Sequence, residues 1–138
     1  MITVFHAKKF GDNTQGYVKV AEVNVNSIGE AFHLTQNLNG SWSREAEFVY
    51  DGETVVNEDY SDLIKITADL PVNKKTGNVM GLRSTSSGDV LFDGDKHWFL
   101  VPLGPRHYKE LYKTHGQTLP IDNFDIDGFV YADEEGVQ

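Results

Sequence analysis

The segment Arg83–Asp89 is where side chains that could do chemistry are most concentrated. It reads Arg-Ser-Thr-Ser-Ser-Gly-Asp and leads directly into the apolar residues 90–92. Hydroxyl groups and the N–H groups of a turn can cradle a phosphate, and an arginine can add two parallel hydrogen bonds. The segment is therefore a candidate loop for an anion, a small ligand or a nucleic-acid backbone. Its polar residues are Arg83, Ser84, Thr85, Ser86, Ser87 and Asp89.

The same segment also has a purely structural interpretation. Gly88 can adopt a turn conformation, Asp89 or a serine can hydrogen-bond the turn, and Arg83 can pair with a carboxylate. The sequence leaves both interpretations open. No Gly-Lys-Ser/Thr follows the loop, and the glycine pattern of a nucleophile elbow is missing. We therefore predict no catalytic residue.

Acidic residues are concentrated near the C-terminus. Of the formal net charge of −9, six negative charges follow Lys113, after which no Lys or Arg occurs. The remainder is nearly balanced, so the chain lacks the basic footprint that direct nucleic-acid binding requires. An acidic segment fits a partner with a basic surface, or serves solubility. The predicted partner-binding residues are Asp122, Asp125, Asp127, Asp133, Glu134 and Glu135.

A weaker alternative for this segment is a calcium site. Asp125, Asp127 and Glu134 follow the spacing of an EF-hand loop, with Asn123 at the position of its first Asp. Pro120 opposes an entering helix, however, which favours a solvated acidic strand. The five histidines show no paired ligand spacing, and we predict no cofactor.

The order of elements predicts an α+β fold with a small, mostly antiparallel sheet. A main helix is expected over about 27–39, because Ser27 and Glu30 have capping-box spacing and Asn39-Gly40 suits a helix end. A shorter helix is expected over about 105–115, beginning at a proline.

Turn residues predict where strands pair. Asp51-Gly52 and Asp93-Gly94 are expected to close hairpins. Residues 2–5 and 17–25 read as strands, the latter with an uncertain register, and 11–16 as a loop. Residues 1–116 are expected to form one domain, and the acidic segment 117–138 to dock partly, as an edge strand.

Composition limits the class of protein. The chain has 138 residues, no cysteine and no apolar stretch of transmembrane length. The sequence Met1–Lys9 does not have the form of a signal peptide. These features predict a soluble cytoplasmic protein that does not bind membranes.

Two motifs give a resemblance to a known group. A helix ending in Leu34-Thr35-Gln36-Asn37 and followed by Ser41-Trp42 precedes the Arg83–Val90 segment. This order resembles a group of small proteins carried by tailed bacteriophages and other mobile elements, over roughly residues 17–104. The resemblance implies a phage origin, a compact α+β fold and the host cytoplasm as location, but no particular chemistry.

Two hypotheses of function follow. The first is a non-enzymatic phage accessory protein that binds a basic host protein, such as a defence or nucleic-acid-processing factor, and could inhibit it by mimicking a phosphate backbone. The alternative is a small ligand- or nucleic-acid-binding module that uses Arg83–Asp89.

Overall fold

The computed structural model describes residues 1–101 and 118–129, which form an α+β fold dominated by antiparallel strands. Six strands make one sheet in the order β5-β2-β1-β6-β7-β8, and two more make a separate hairpin, β3–β4. The predicted fold class is confirmed. The elements are β1 (Ile2–Lys9), β2 (Asp12–Val23), α1 (Ile28–Leu34), β3 (Glu47–Tyr50), β4 (Glu53–Val56), β5 (Ile64–Ile66), β6 (Val90–Phe92), β7 (His97–Leu100) and β8 (Thr118–Ile121).

The first two strands are longer than the sequence suggested. The predicted loop at 11–16 is wrong, because β1 and β2 continue to a tight turn at Phe10-Gly11 and Lys9 pairs with Asp12. Gly11 has a φ of 78°, which lets the chain reverse there without a Cβ clash.

The uncertain register of β2 has a physical cause at Val20. Val4 pairs with Ala21, but the next residue, Phe5, pairs with Lys19, so Val20 is an extra residue in the ladder. Such a bulge shifts side-chain alternation by one position. Val20 and Ala21 therefore share one core, whereas Tyr17 reaches the other.

Both predicted hairpins are confirmed. Asp51 and Gly52 have φ values of 51° and 79°, the positive angles of a two-residue turn between β3 and β4. Gly94 lies in the turn between β6 and β7, with a φ of 97°.

The core is divided into two clusters. The larger packs α1 and Trp42 against the sheet and includes Ile2, Val4, Val23, Ala31, Phe32 and Leu91. The smaller is more aromatic and includes Tyr17, Val90, Phe99 and Phe129, with Phe5 and Phe124 partly buried against it. The two clusters fix β1 and β6 from both sides, and the candidate loop enters β6.

The main helix is shorter than predicted, seven residues rather than the range 27–39. Its N-cap is as expected, with Ser27 Oγ accepting from the N–H of Glu30 at 3.1 Å. At the other end, Thr35 Oγ1 donates to the carbonyls of Ala31 and Phe32. The N–H groups of residues 38, 39 and 40 turn to one carboxylate oxygen of Asp59, at 2.6, 2.9 and 2.9 Å. Those donors are lost to the helix, so it ends before Asn39-Gly40.

The predicted edge strand near the C-terminus is confirmed by β8, which pairs with β7 from Thr118 to Ile121. The chain then crosses to β2, where Tyr17 N donates to Ile126 O at 2.7 Å and Phe129 N donates to Asn13 O at 2.8 Å. We call residues 122–129 the strap. The predicted helix at 105–115 lies outside the described residues. Within the two described ranges, no helix is long and apolar enough to cross a membrane.

Candidate functional site

Asp89, the last residue of the predicted loop, is completely buried and accepts hydrogen bonds from several parts of the chain. Its two carboxylate oxygens accept hydrogen bonds from Nη1 and Nη2 of Arg83, each at 2.7 Å. They also accept from the backbone N–H groups of Ala7 and Ser86, each at 2.8 Å. A buried carboxylate with four donors is well compensated for its desolvation.

The Arg83 guanidinium hydrogen-bonds to acceptors within the protein. Besides Asp89, Nη1 donates to Ser84 O at 3.0 Å and Nη2 to Ala7 O at 3.2 Å. Its side chain is 30% exposed, and the guanidinium carbon lies 5.1 Å from the ring centroid of Phe10. Both terminal nitrogens thus already hold acceptors. This is the Arg83–carboxylate pair that the structural interpretation of the loop expected. Anion binding by the loop stays a prediction.

The loop hydroxyls are also used internally. Thr85 Oγ1 is 2.8 Å from Nε2 of buried His6, and Ser84 Oγ accepts from the N–H of Asn37 at 2.8 Å. Ser86 contributes its N–H to Asp89, and Ser87 is half-buried beside Gly88. Gly88 has a φ of 93°, so the predicted special backbone angle is present.

His6 lies in this network as a neutral imidazole. Burial lowers the pKa of His6 to about 4. The nearby Asp89 carboxylate raises this pKa in part, and the Arg83 guanidinium lowers it further. Its Nε2 is 3.9 Å from Asp89 Oδ2, and its ring meets the Trp42 indole edge-on at 5.9 Å. On the other side of the loop, Tyr17 Oη donates to Gly88 O, and burial together with the nearby Asp89 raises the pKa of this phenol.

The two motifs recognised in the sequence are hydrogen-bonded to each other. Trp42 Nε1 donates to Arg83 O at 2.9 Å, and Thr85 N donates to Thr35 O at 2.9 Å. Leu82 N donates to Ser43 Oγ at 2.7 Å. Three further contacts join Gln36 Nε2 to Thr85 O, Asn37 Nδ2 to Leu82 O and Asn37 N to Ser84 Oγ. The motifs are therefore two halves of one structural unit.

The predicted acidic residues lie apart from that unit. Asp122, Asp125 and Asp127 are exposed on the strap, and Asp125 Oδ1 accepts from Asp127 N at 3.0 Å. Asp133, Glu134 and Glu135 lie outside the described residues, so the described part holds only two of the three carboxylates of the calcium alternative. Across 1–101 and 118–129, no three His, Asp or Glu side chains are grouped to hold a metal ion.

Sequence reasoning missed a groove beside the β3–β4 hairpin that contains a nearly buried arginine, Arg44. The alternation of Phe48, Tyr50 and Val55 could have indicated one apolar hairpin face. That residues 79–81 line the same groove carried no local signal, because the contact spans more than 20 positions of the chain.

No protein-family model matches the chain, and comparisons with the curated proteins and with the solved structures gave no significant match.

Proposed function

We propose that the protein is a non-enzymatic binding protein whose strap presents acidic side chains to a partner protein with a basic surface. The observation that supports this is the fixed backbone of the segment that carries the exposed carboxylates. Asp122, Asp125 and Asp127 lie on a segment held to β2 by two backbone hydrogen bonds. Acidic residues on an ordered backbone lose less conformational entropy on binding than those of a loose tail.

The same surface carries apolar area. Ile126 is 48% exposed and Leu119, on β8, is 38% exposed. Interfaces combine a central apolar contact with a charged rim, and charge steers the encounter. The net charge of −9 adds long-range attraction for a basic partner.

The resemblance of residues 17–104 to tailed-phage proteins suggests where to look for the partner. Under this proposal the partner is a bacterial host protein, for example a defence or nucleic-acid-processing factor, and binding would inhibit it by occupying its basic surface. The location would be the host cytoplasm.

The test compares capture from a bacterial lysate by three tagged proteins. These are the wild type, the strap variant Asp122→Asn/Asp125→Asn/Asp127→Asn, and a control variant, Glu30→Gln/Glu58→Gln/Asp62→Asn. Both variants lose three exposed acids, so their net charge is equal. We expect one stoichiometric basic protein on the wild type and the control, but not on the strap variant.

Salt gives a second readout. Raising ionic strength from about 50 to about 300 mM should release the captured protein, because screening weakens contacts between exposed charges. Equal retention by the two variants would remove the strap from the proposal. Purified partner would then be assayed with and without the protein to measure inhibition.

A further inference from the structure

A groove of about 260 Å³ lies between the β3–β4 hairpin and residues 79–81. Its lining is mainly apolar, with the aromatic rings of Phe48 and Tyr50 and the aliphatic side chains of Val55, Val79 and Met80. Tyr50 and Val79 are each 39% exposed, so the rim is accessible from solvent. The groove is remote in sequence from the strap and does not depend on the function proposed above.

Two glycines keep backbone at the groove wall. A Cβ at Gly81 would lie 2.2 Å from Ser41 Oγ, and a Cβ at Gly40 would lie 2.3 Å from Asn57 Oδ1. At either position a side chain would require the neighbouring Ser41 or Asn57 side chain to move. Asn57 is itself fixed, because its Nδ2 donates to the carbonyls of residues 41, 44 and 45.

Arg44 brings a charge into this apolar setting. Its side chain is only 8% exposed, and its guanidinium carbon lies 4.1 Å above the ring centroid of Phe48. Nη1 donates to the carbonyl of Val79. Nε is buried and has no hydrogen-bond partner among the described residues. The carboxylate of Glu45 forms an ion pair with Nε at 3.7 Å, beyond hydrogen-bond distance, from a side chain that is 72% exposed.

The hydrogen-bonding groups of Arg44 are therefore not all paired within the described residues. Buried donors are almost always paired, and an unpaired one attached to a charged group is costly. Val79 engages Nη1 and the protein encloses Nε, so among the described contacts Nη2 is the donor that remains for an acceptor in the groove. A carboxylate is the strong acceptor for such a charged donor.

We propose that this groove binds a small aromatic carboxylate, with its ring against Tyr50 and Val55 and its carboxylate on Nη2 of Arg44. Charge complementarity selects the anion, because the guanidinium stays protonated at any physiological pH. The volume selects a small molecule. It lies just below the range of about 300–1,000 Å³ that holds drug-sized ligands, so the groove suits about ten non-hydrogen atoms rather than an extended peptide.

Phenylacetate is the probe, and its neutral isostere phenylacetamide is the ligand control. Backbone amide resonances of the full chain are followed by NMR during titration with each compound. We expect saturable shifts at groove residues with phenylacetate. Phenylacetamide should bind at least about tenfold more weakly, because a charged acceptor makes the stronger hydrogen bond to a guanidinium.

Protein variants locate the site. Val55→Glu places a carboxylate on the groove face of β4 and should abolish binding by occupying Arg44. Thr54→Glu makes the same charge change on the opposite face of the strand, where Thr54 is exposed, and should keep the affinity within about twofold. Arg44→Gln should also lose binding, and it serves as the test if Val55→Glu fails to fold. Its side-chain amide keeps a donor for Val79 O.

Three results would overturn the proposal. These are equal binding of the acid and the amide, equal binding by the Val55→Glu and Thr54→Glu variants, or no shift at groove amides at about 10 mM phenylacetate, a concentration that would detect even millimolar affinity.

Discussion

The indole N–H of Trp42 donates a 2.9 Å hydrogen bond to the carbonyl oxygen of Arg83, which ties the loop after α1 to the loop before β6. Trp42 is 1% exposed, and its ring also contacts His6 of β1. One side chain therefore fixes the start of the Arg83–Asp89 segment against the sheet. The segment is positioned as part of the core rather than as a free loop.

Trp42→Phe should lower the free energy of unfolding by about 1–3 kcal/mol. Phenylalanine keeps an aromatic ring in the core but leaves the Arg83 carbonyl without its donor. Urea denaturation measures the change. Trp98→Phe is the matched control, because Trp98 Nε1 donates to the exposed carboxylate of Asp93, which water can solvate instead. The control should cost less than about 1 kcal/mol. A larger loss for Trp98→Phe would contradict this account.

Asp89→Ala should be the most damaging substitution in the loop. Removing a buried carboxylate strands the Arg83 guanidinium and the N–H groups of Ala7 and Ser86. Breaking a buried ion pair from one side costs about 3–5 kcal/mol. Asp95→Ala, in the exposed β6–β7 turn, is the control and should cost less than about 0.5 kcal/mol. Thermal and urea unfolding would show both, and equal effects would refute the central role of Asp89.

His6 should make stability depend on pH between 6.5 and about 4. The folded protein holds this imidazole neutral, whereas the unfolded chain protonates it below pH 6.5. Acidification therefore favours unfolding across that window, with no further change from His6 below pH 4. The shift corresponds to about 3 kcal/mol.

Urea denaturation at pH 7, 5.5 and 4 would measure this dependence in the wild type and in His6→Gln. The difference between the two proteins isolates His6, because both keep His97, whose pKa burial also lowers. The His6→Gln variant should lose less stability on acidification. Parallel pH profiles would show that His6 is not responsible.

Asp59→Ala should release the backbone that follows α1. One oxygen of Asp59 accepts from the N–H groups of residues 38, 39 and 40, so its removal leaves three donors to water. Amide hydrogen exchange at these positions should rise by at least about tenfold, as expected when a local opening becomes easier by about 1.4 kcal/mol. Asp62→Ala, three residues later and exposed, should leave their exchange unchanged. Unaltered exchange in Asp59→Ala would mean that other contacts hold this turn.

Interactions between residues close in sequence could be predicted. Hydrogen bonds from residues distant in sequence, which compete for the same backbone groups, could not. Ser27 with Glu30, and the Asp51-Gly52 turn, act within four residues, so their effect was visible in the pattern. The helix end was misplaced because Asp59, about 20 residues away, takes the donors that would extend it.

The candidate site shows the same division. Pairing of Arg83 with a carboxylate was one of two open interpretations, and its partner Asp89 lies only six residues away. The contacts of His6 and Trp42 with this loop span 79 and 41 positions, respectively. The Arg44 groove needs the hairpin and residues 79–81 to meet, which no local pattern indicates.

The strap also determines when one face of the sheet can be covered during synthesis and folding. Asn13 Nδ2 bonds the carbonyl of Phe129, 116 positions later, and Phe124 and Phe129 contact Tyr17 across one face of the sheet. During synthesis β1 and β2 emerge before residues 124–129, and that aromatic face stays uncovered until those residues have left the ribosome. Pairings at such separation slow folding, because a long loop must be closed before its contacts are gained. Between the synthesis of β2 and that of residues 124–129, the nascent chain therefore exposes aromatic surface that the strap covers in the folded protein.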